Sequence, residues 1–147
     1  MPAPILLITA FLMGAILSTY LPMNSSASRY LGSSIAASFT FFVVALTTVL
    51  CILLVSGQQH CLARVKNVPV YLHVAGIISA FFIVGTTVLV PRVGARTFFI
   101  LLVSGQILMA IVISHFGLLE SPQDPVTAKK IVGAIFVIAG AALSAAR

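Results

Sequence analysis

The side chains of this sequence that could do chemistry inside its long apolar stretches are almost all uncharged. The chain has two acids, and neither Glu120 nor Asp124 falls within such a stretch. A carboxylate held in a membrane segment is the usual means by which a carrier binds a cation and exchanges it for protons. Cation/proton exchange of that kind is therefore disfavoured. What remains is hydroxyls and amides, and most Ser and Thr in apolar helices bond back to a carbonyl one turn earlier or help neighbouring helices to pack. Gln106 is harder to set aside, because its amide carries two donors and an acceptor that must be met where water is absent. Gly105 beside it lets a second backbone or a substrate approach closely. Gln106 is thus either an interhelical hydrogen bond or part of a substrate cavity. Asn24 is the second amide, with a cap or interfacial bond at the end of the first helix as its plainer reading. Ser79 and the Phe81/Phe82 pair complete the candidate cavity lining.

Ser114 and His115 come late in the fourth apolar stretch. A histidine in a last helical turn suits the negative end of the helix dipole and can bond exposed carbonyls. Its alternative is proton handling at a cavity mouth, for which a reference pKa of about 6.5 is suitable. Arg92 and Arg96 frame a tight turn. They could hold an anionic head group in their planar forks, or anchor helix ends among lipid phosphates by snorkelling. His60, Cys61, His73 and Cys51 have neither metal-ligand spacing nor the pattern of a disulfide framework. No metal or cofactor is expected. No cluster of acids and histidines and no nucleophile beside a base points to a catalytic residue, and no basic and aromatic array points to nucleic acid.

These residues need helices to hold them, and composition says where the helices are. The chain is 61% hydrophobic and 7% charged, with a mean hydropathy of +1.21, far outside soluble norms. Five uncharged stretches, 5–22, 35–55, 70–90, 97–116 and 131–146, each approach the ~20 residues that a helix needs to cross a ~30 Å hydrocarbon layer. None alternates in the manner of a transmembrane strand. The expectation is an all-α integral membrane protein, a single domain over residues 1–147, with five spans in contact with the lipid bilayer. The first stretch lacks a basic flank and leads into further spans, so it reads as retained rather than as a signal peptide. Pro91 to Arg96 is too short for more than a reversal, which predicts an antiparallel hairpin of the third and fourth helices. Gly117 suits a left-handed helix end. Asp124 followed by Pro125 reads as the cap and first position of the last helix.

Five crossings divide the eight basic residues evenly. Arg64, Lys66, Lys129 and Lys130 fall on the side of the N-terminus, and Arg29, Arg92, Arg96 and Arg147 on the other. Orientation normally follows an excess of Lys and Arg in short cytoplasmic loops. With no excess, insertion both ways up becomes a working expectation, and a mixed population can pair as antiparallel dimers, the two-chain equivalent of an inverted repeat. In the last helix Gly133, Gly140 and Ser144 fall on one side, beside Ala134, Ala141 and Ala145. Such small-residue seams allow close helix approach, and this one is expected at or near a dimer interface.

The stretches Val74 to Phe82, Val88 to Ala95, Ser104-Gly105-Gln106 and Ser114 to Leu119, with Pro22-Met23-Asn24 and the run from Gly133 to Gly140, resemble the small YdcZ-like bacterial membrane proteins of the drug/metabolite transporter superfamily. The resemblance covers essentially the whole chain. It implies a multi-pass protein of the bacterial inner membrane, equivalent to half of a ten-helix transporter. Members tend to carry Gln and then Asn near the end of the first helix, where this chain has Asn24 and Ser28, and Asp before His in the fourth, where it has Ser114. The expected function is transport of a neutral, amphipathic or lipid-like small molecule by alternating access. The working unit would be a homodimer, or a heterodimer with a similar small membrane protein. The alternative is a non-transporting subunit or scaffold, in which the polar residues only join helices.

Overall fold

The computed structural model describes residues 4–145, with side chains through Leu143; Arg147 and the Ser144 side chain, named above, lie outside that range. Five α-helices follow one another: α1 (Pro4–Leu31), α2 (Ser34–Val55), α3 (Val70–Val93), α4 (Ala95–Phe116) and α5 (Ala128–Ala145). Short 3-10 segments, Gln58–Asn67 and Leu118–Glu120, stand between α2 and α3 and after α4. No strand occurs among the described residues. The helices α1 to α4 are long and apolar enough to cross a membrane. The expected fifth span is helical, but it is not among those four. Lys129 and Lys130 occupy its first turn.

The helix α1 corrects the expected first span. It continues nine residues beyond Pro22 to Leu31, so Asn24 sits in a helix interior and is not a cap at its end. The polar run after Pro22 stays helical because its groups find partners. Ser28 Oγ donates to Ser25 O (2.7 Å), while Asn24 and Ser25 bond across to α3. A proline inside a membrane helix is tolerated where neighbouring helices and Ser or Thr side chains support the helix around it. Similarly, α3 runs through Pro91 to Val93, so Gly94 alone separates it from α4.

The expected cap of the last helix is a second correction. Asp124 and Pro125 lie in an irregular segment, and α5 begins at Ala128 with the Ile131 N–H donating to Thr127 O (3.1 Å). The Asp124 carboxylate pairs instead with the Lys130 ammonium, which also donates to Pro125 O (2.8 Å). The side chain is spent on a cation in the first turn of the coming helix, and is not free to cap the helix backbone.

The chain divides at Arg92/Val93 into two compact units. In the first, α1 packs on α2 with Leu21 and Ala37 fully buried. A two-residue turn joins them: Gly32 takes φ +67°, and Ser33 caps α2 by accepting from the Ala36 N–H (3.2 Å). Along α3 the buried residues Ile83, Thr86, Thr87 and Val90 recur at helical spacing. In the second unit, α4 packs on α5. Most of the other large apolar side chains face outward, Phe11 and Phe81 by three quarters of their surface or more. In water such exposure would cost heavily; in hydrocarbon lipid tails cover it, and packing of small and polar residues holds the helices together instead.

The helix α4 ends at Gly117 in the left-handed conformation (φ +62°, ψ +32°), as its sequence predicts. Two further residues, Leu119 (φ +55°) and Glu120 (φ +60°), adopt the same region, where a side chain costs about 1–2 kcal/mol. Leu119→Gly is therefore expected to raise stability by about 1 kcal/mol, read as a later midpoint of SDS-induced unfolding. A loss of stability would show that the exposed Leu119 side chain has a packing role that outweighs its backbone strain.

Candidate functional site

The best-built polar arrangement joins α1 to α3 within the first unit. Asn24 is only 7% exposed and Thr87 1%. Asn24 Nδ2 donates to Thr87 Oγ1 (2.9 Å), Thr87 Oγ1 donates to Ile83 O (2.8 Å), and Ser25 Oγ donates to the Thr87 carbonyl (3.4 Å). A hydroxyl has one proton, and that of Thr87 is committed to Ile83, so toward Asn24 it can only accept. That fixes the amide: nitrogen toward Thr87, oxygen away. Among the described residues no buried side-chain nitrogen or oxygen is left without a partner.

Beside this network runs a groove of 360 Å³ between α1 and α2, bordered by Tyr20, Met23, Asn24, Thr40, Phe41 and Val44. Tyr20 and Phe41 stack nearly parallel (ring centroids 5.8 Å apart, 11° between planes), and Phe42 meets Phe41 edge-on. Thr40 Oγ1 donates back to Ala37 O (2.9 Å). The groove thus offers an aromatic wall, an amide and a phenol, and no ionised group.

The second unit holds Gln106, Ser114 and His115. Gln106 is exposed on α4, and no hydrogen bond joins it to the described residues. Its neighbour Ser104 is buried and bonds back to Ile100 O (2.8 Å), beside an apolar groove of 380 Å³ where α4 meets α5 at Phe99, Val103, Val137 and Gly140. Ser114 and His115 tie down the segment before α5. The Ser114 carbonyl accepts from the Asp124 N–H (2.8 Å), and His115 Nδ1 accepts from the Val126 N–H (3.2 Å). The imidazole therefore accepts a hydrogen bond from a backbone N–H, where the sequence predicts a bond to an exposed carbonyl.

The comparisons with known proteins now bear on this arrangement. Residues 5–143 match the family described as "Putative inner membrane exporter, YdcZ". The chain belongs to this exporter family. No curated protein and no solved structure matches it. Membership makes the chain a multi-pass protein of the inner membrane, and the family's description is of an exporter.

The other predicted residues of this family member are spread along its helices. Ser79 and Phe81 are exposed on α3 and Phe82 is half-buried; none of the three borders the Asn24 groove. Arg92 and Arg96 are exposed on either side of Gly94. The small-residue seam of α5 divides: Ala134 and Ala141 are buried, while Gly133 and Gly140 are exposed, with open space where a side chain would begin. Tyr20 and Phe41 were not foreseen as site residues. Their one signal in the sequence is an aromatic one turn before Asn24 on the same helix face, which gains meaning only when α2 supplies the second ring.

Proposed function

We propose that this chain is a five-span half-transporter of the drug/metabolite type. It forms one functional domain that pairs with an inverted copy of itself and exports a neutral, amphipathic or lipid-like small molecule by alternating access. The observation that carries this reading is the neutrality of the interior: no acid lies in any of the five helices, and the best-buried polar network is built from an amide and hydroxyls. Such a lining accepts molecules that shed little hydration on entering the membrane, and it gives a naked cation no counter-charge. The helix α5 serves as a short fifth span, with Lys129 and Lys130 reaching the interface by snorkelling. In an inverted pair the two mouths are equivalent, and exchanging the conformations of the two chains turns the cavity over.

Gln106 carries the test that separates transport from a scaffolding role. An exposed amide at mid-helix needs a partner from outside the chain in a medium that supplies no water. In cells accumulating fluorescent neutral amphiphiles, Gln106→Ala is expected to reduce efflux at least about fivefold, the loss of roughly 1 kcal/mol of interaction, while dimer content in detergent stays unchanged. Intact efflux with loss of assembly would favour the scaffold. Gly140→Leu tests the pairing itself, and efflux should fall together with the dimer. Its added side chain begins in open space in the single chain but obstructs close helix approach, so the dimer fraction should fall without loss of helix content. Unchanged dimerisation in a crosslinking or light-scattering assay would remove α5 from the interface.

A further inference from the structure

We infer that the α1–α2 groove is a recognition site for an uncharged aromatic molecule bearing an O–H or N–H donor, with Asn24 Oδ1 as its acceptor and Tyr20 and Phe41 as the wall for its ring. This rests on the proposal that the chain moves neutral molecules, and adds which class of neutral molecule and which residues read it.

The amide oxygen is the starting point. Because the Thr87 hydroxyl proton is committed to Ile83 O, Asn24 must turn its nitrogen toward Thr87, and its oxygen toward the other side. That oxygen accepts from no described residue, yet it is not an orphan sealed in the protein, so it retains access to open space. Asn24 is 93% buried, and the open space it borders is the groove. An acyl chain filling the groove would bring no proton, leaving a carbonyl lone pair in hydrocarbon, which is unfavourable. An alcohol, phenol or amide N–H would meet it.

The rest of the lining narrows the class. No acid or base borders the groove, so neither a cation nor an anion finds a counter-charge. Thr40 gives its proton to Ala37 O, leaving Tyr20 as the one hydroxyl with an uncommitted proton. The nearly parallel Tyr20 and Phe41 rings can be continued by a third ring in offset or edge contact, worth about 0.5–1.5 kcal/mol beyond area burial. The 360 Å³ of space lies toward the lower end of the ~300–1,000 Å³ usual for small-molecule sites, which suits a one- or two-ring molecule.

The test uses the full chain in phosphatidylcholine nanodiscs, titrated with 2-naphthol, 2-methoxynaphthalene and 2-naphthylmethylammonium, with empty nanodiscs as the partition control. The wild-type chain is expected to bind the naphthol about 3–10-fold more tightly than the ether, the value of one hydrogen bond, and to bind the ammonium most weakly. Asn24→Leu should abolish the naphthol preference, and Tyr20→Leu should weaken naphthol and ether alike while keeping their ratio. Equal binding of naphthol and ether by the wild type overturns the inference without reference to any variant, as does a preference that survives Asn24→Leu. In a Cys51→Ala/Cys61→Ala background, Met23→Cys chains that crosslink to one another through Cys at that position would show that a second copy covers the groove, and would also overturn it. Efflux of neutral amphiphiles is measured separately: export without naphthol preference sinks this site alone, whereas naphthol preference without export sinks the transport proposal alone.

Discussion

Thr87→Val is expected to destabilise the protein by about 1–3 kcal/mol, although it exchanges a hydroxyl for a methyl group of similar size. The hydroxyl it removes accepts from Asn24 Nδ2 at a position 1% exposed, so the substitution strands an amide N–H inside the bundle. Asn24→Ala leaves no such orphan, since Thr87 Oγ1 keeps its bond to Ile83 O. The double variant should therefore be less damaged than the sum of the two singles. The coupling expected from hydrogen bonds between membrane helices is about 0.6–1.7 kcal/mol. SDS-induced unfolding in mixed micelles measures all four states of the cycle. Strict additivity would mean that α1 and α3 are not joined through this pair.

Gly94→Ala is the second large effect. Gly94 is the one residue between α3 and α4, and its backbone (φ +83°, ψ +143°) lies where residues with a side chain are strained, at a cost of about 1–3 kcal/mol. No neighbouring atom lies within contact of the new methyl group, so the loss would come from the backbone and not from crowding. Gly85→Ala supplies the contrast, because Gly85 is helical and equally open. There alanine should gain about 0.5–1 kcal/mol of helix propensity. Unfolding midpoints that shift in opposite directions establish the point; parallel shifts would refute it.

The middle of the chain was legible in the sequence. The predicted spans 35–55, 70–90 and 97–116 lie within or close to α2, α3 and α4, because hydrocarbon thickness and the placing of charge govern those segments directly. The errors fall at prolines and polar runs. Pro22 and the Asn-Ser-Ser sequence after it read as the end of a helix, since in water such groups favour turns. Here Asn24 and Ser25 are met by Thr87, more than sixty residues away, and no local pattern can announce such a partner. The Asp124-Pro125 pair failed for a similar reason: Lys130, Ser114 and His115 claim the segment from outside it.

The candidate site was half legible. Asn24 stands out by its chemistry as an amide beside an apolar stretch, although its plainer reading is a cap at the end of the first helix. What it bonds, and that it borders a groove with an aromatic wall, depend on how α1 sits against α2 and α3. The Tyr20/Phe41 stack is likewise a matter of register between helices. Gln106 keeps its place by a different argument, since its exposed amide meets no partner among the described residues, which leaves room for one from a second chain or a substrate.

The even division of basic residues that five crossings would give is the ground for the proposal that the working unit pairs chains of opposite orientation. Cys61 offers a native reporter in the polar 3-10 segment between α2 and α3, and it is exposed and free. With Cys51→Ala removing the other thiol, a membrane-impermeant maleimide applied to intact spheroplasts should label roughly half of the Cys61 that is labelled after permeabilisation, as a population without orientational bias requires. Labelling close to none or close to all from the outside would fix a single orientation and contradict the antiparallel homodimer.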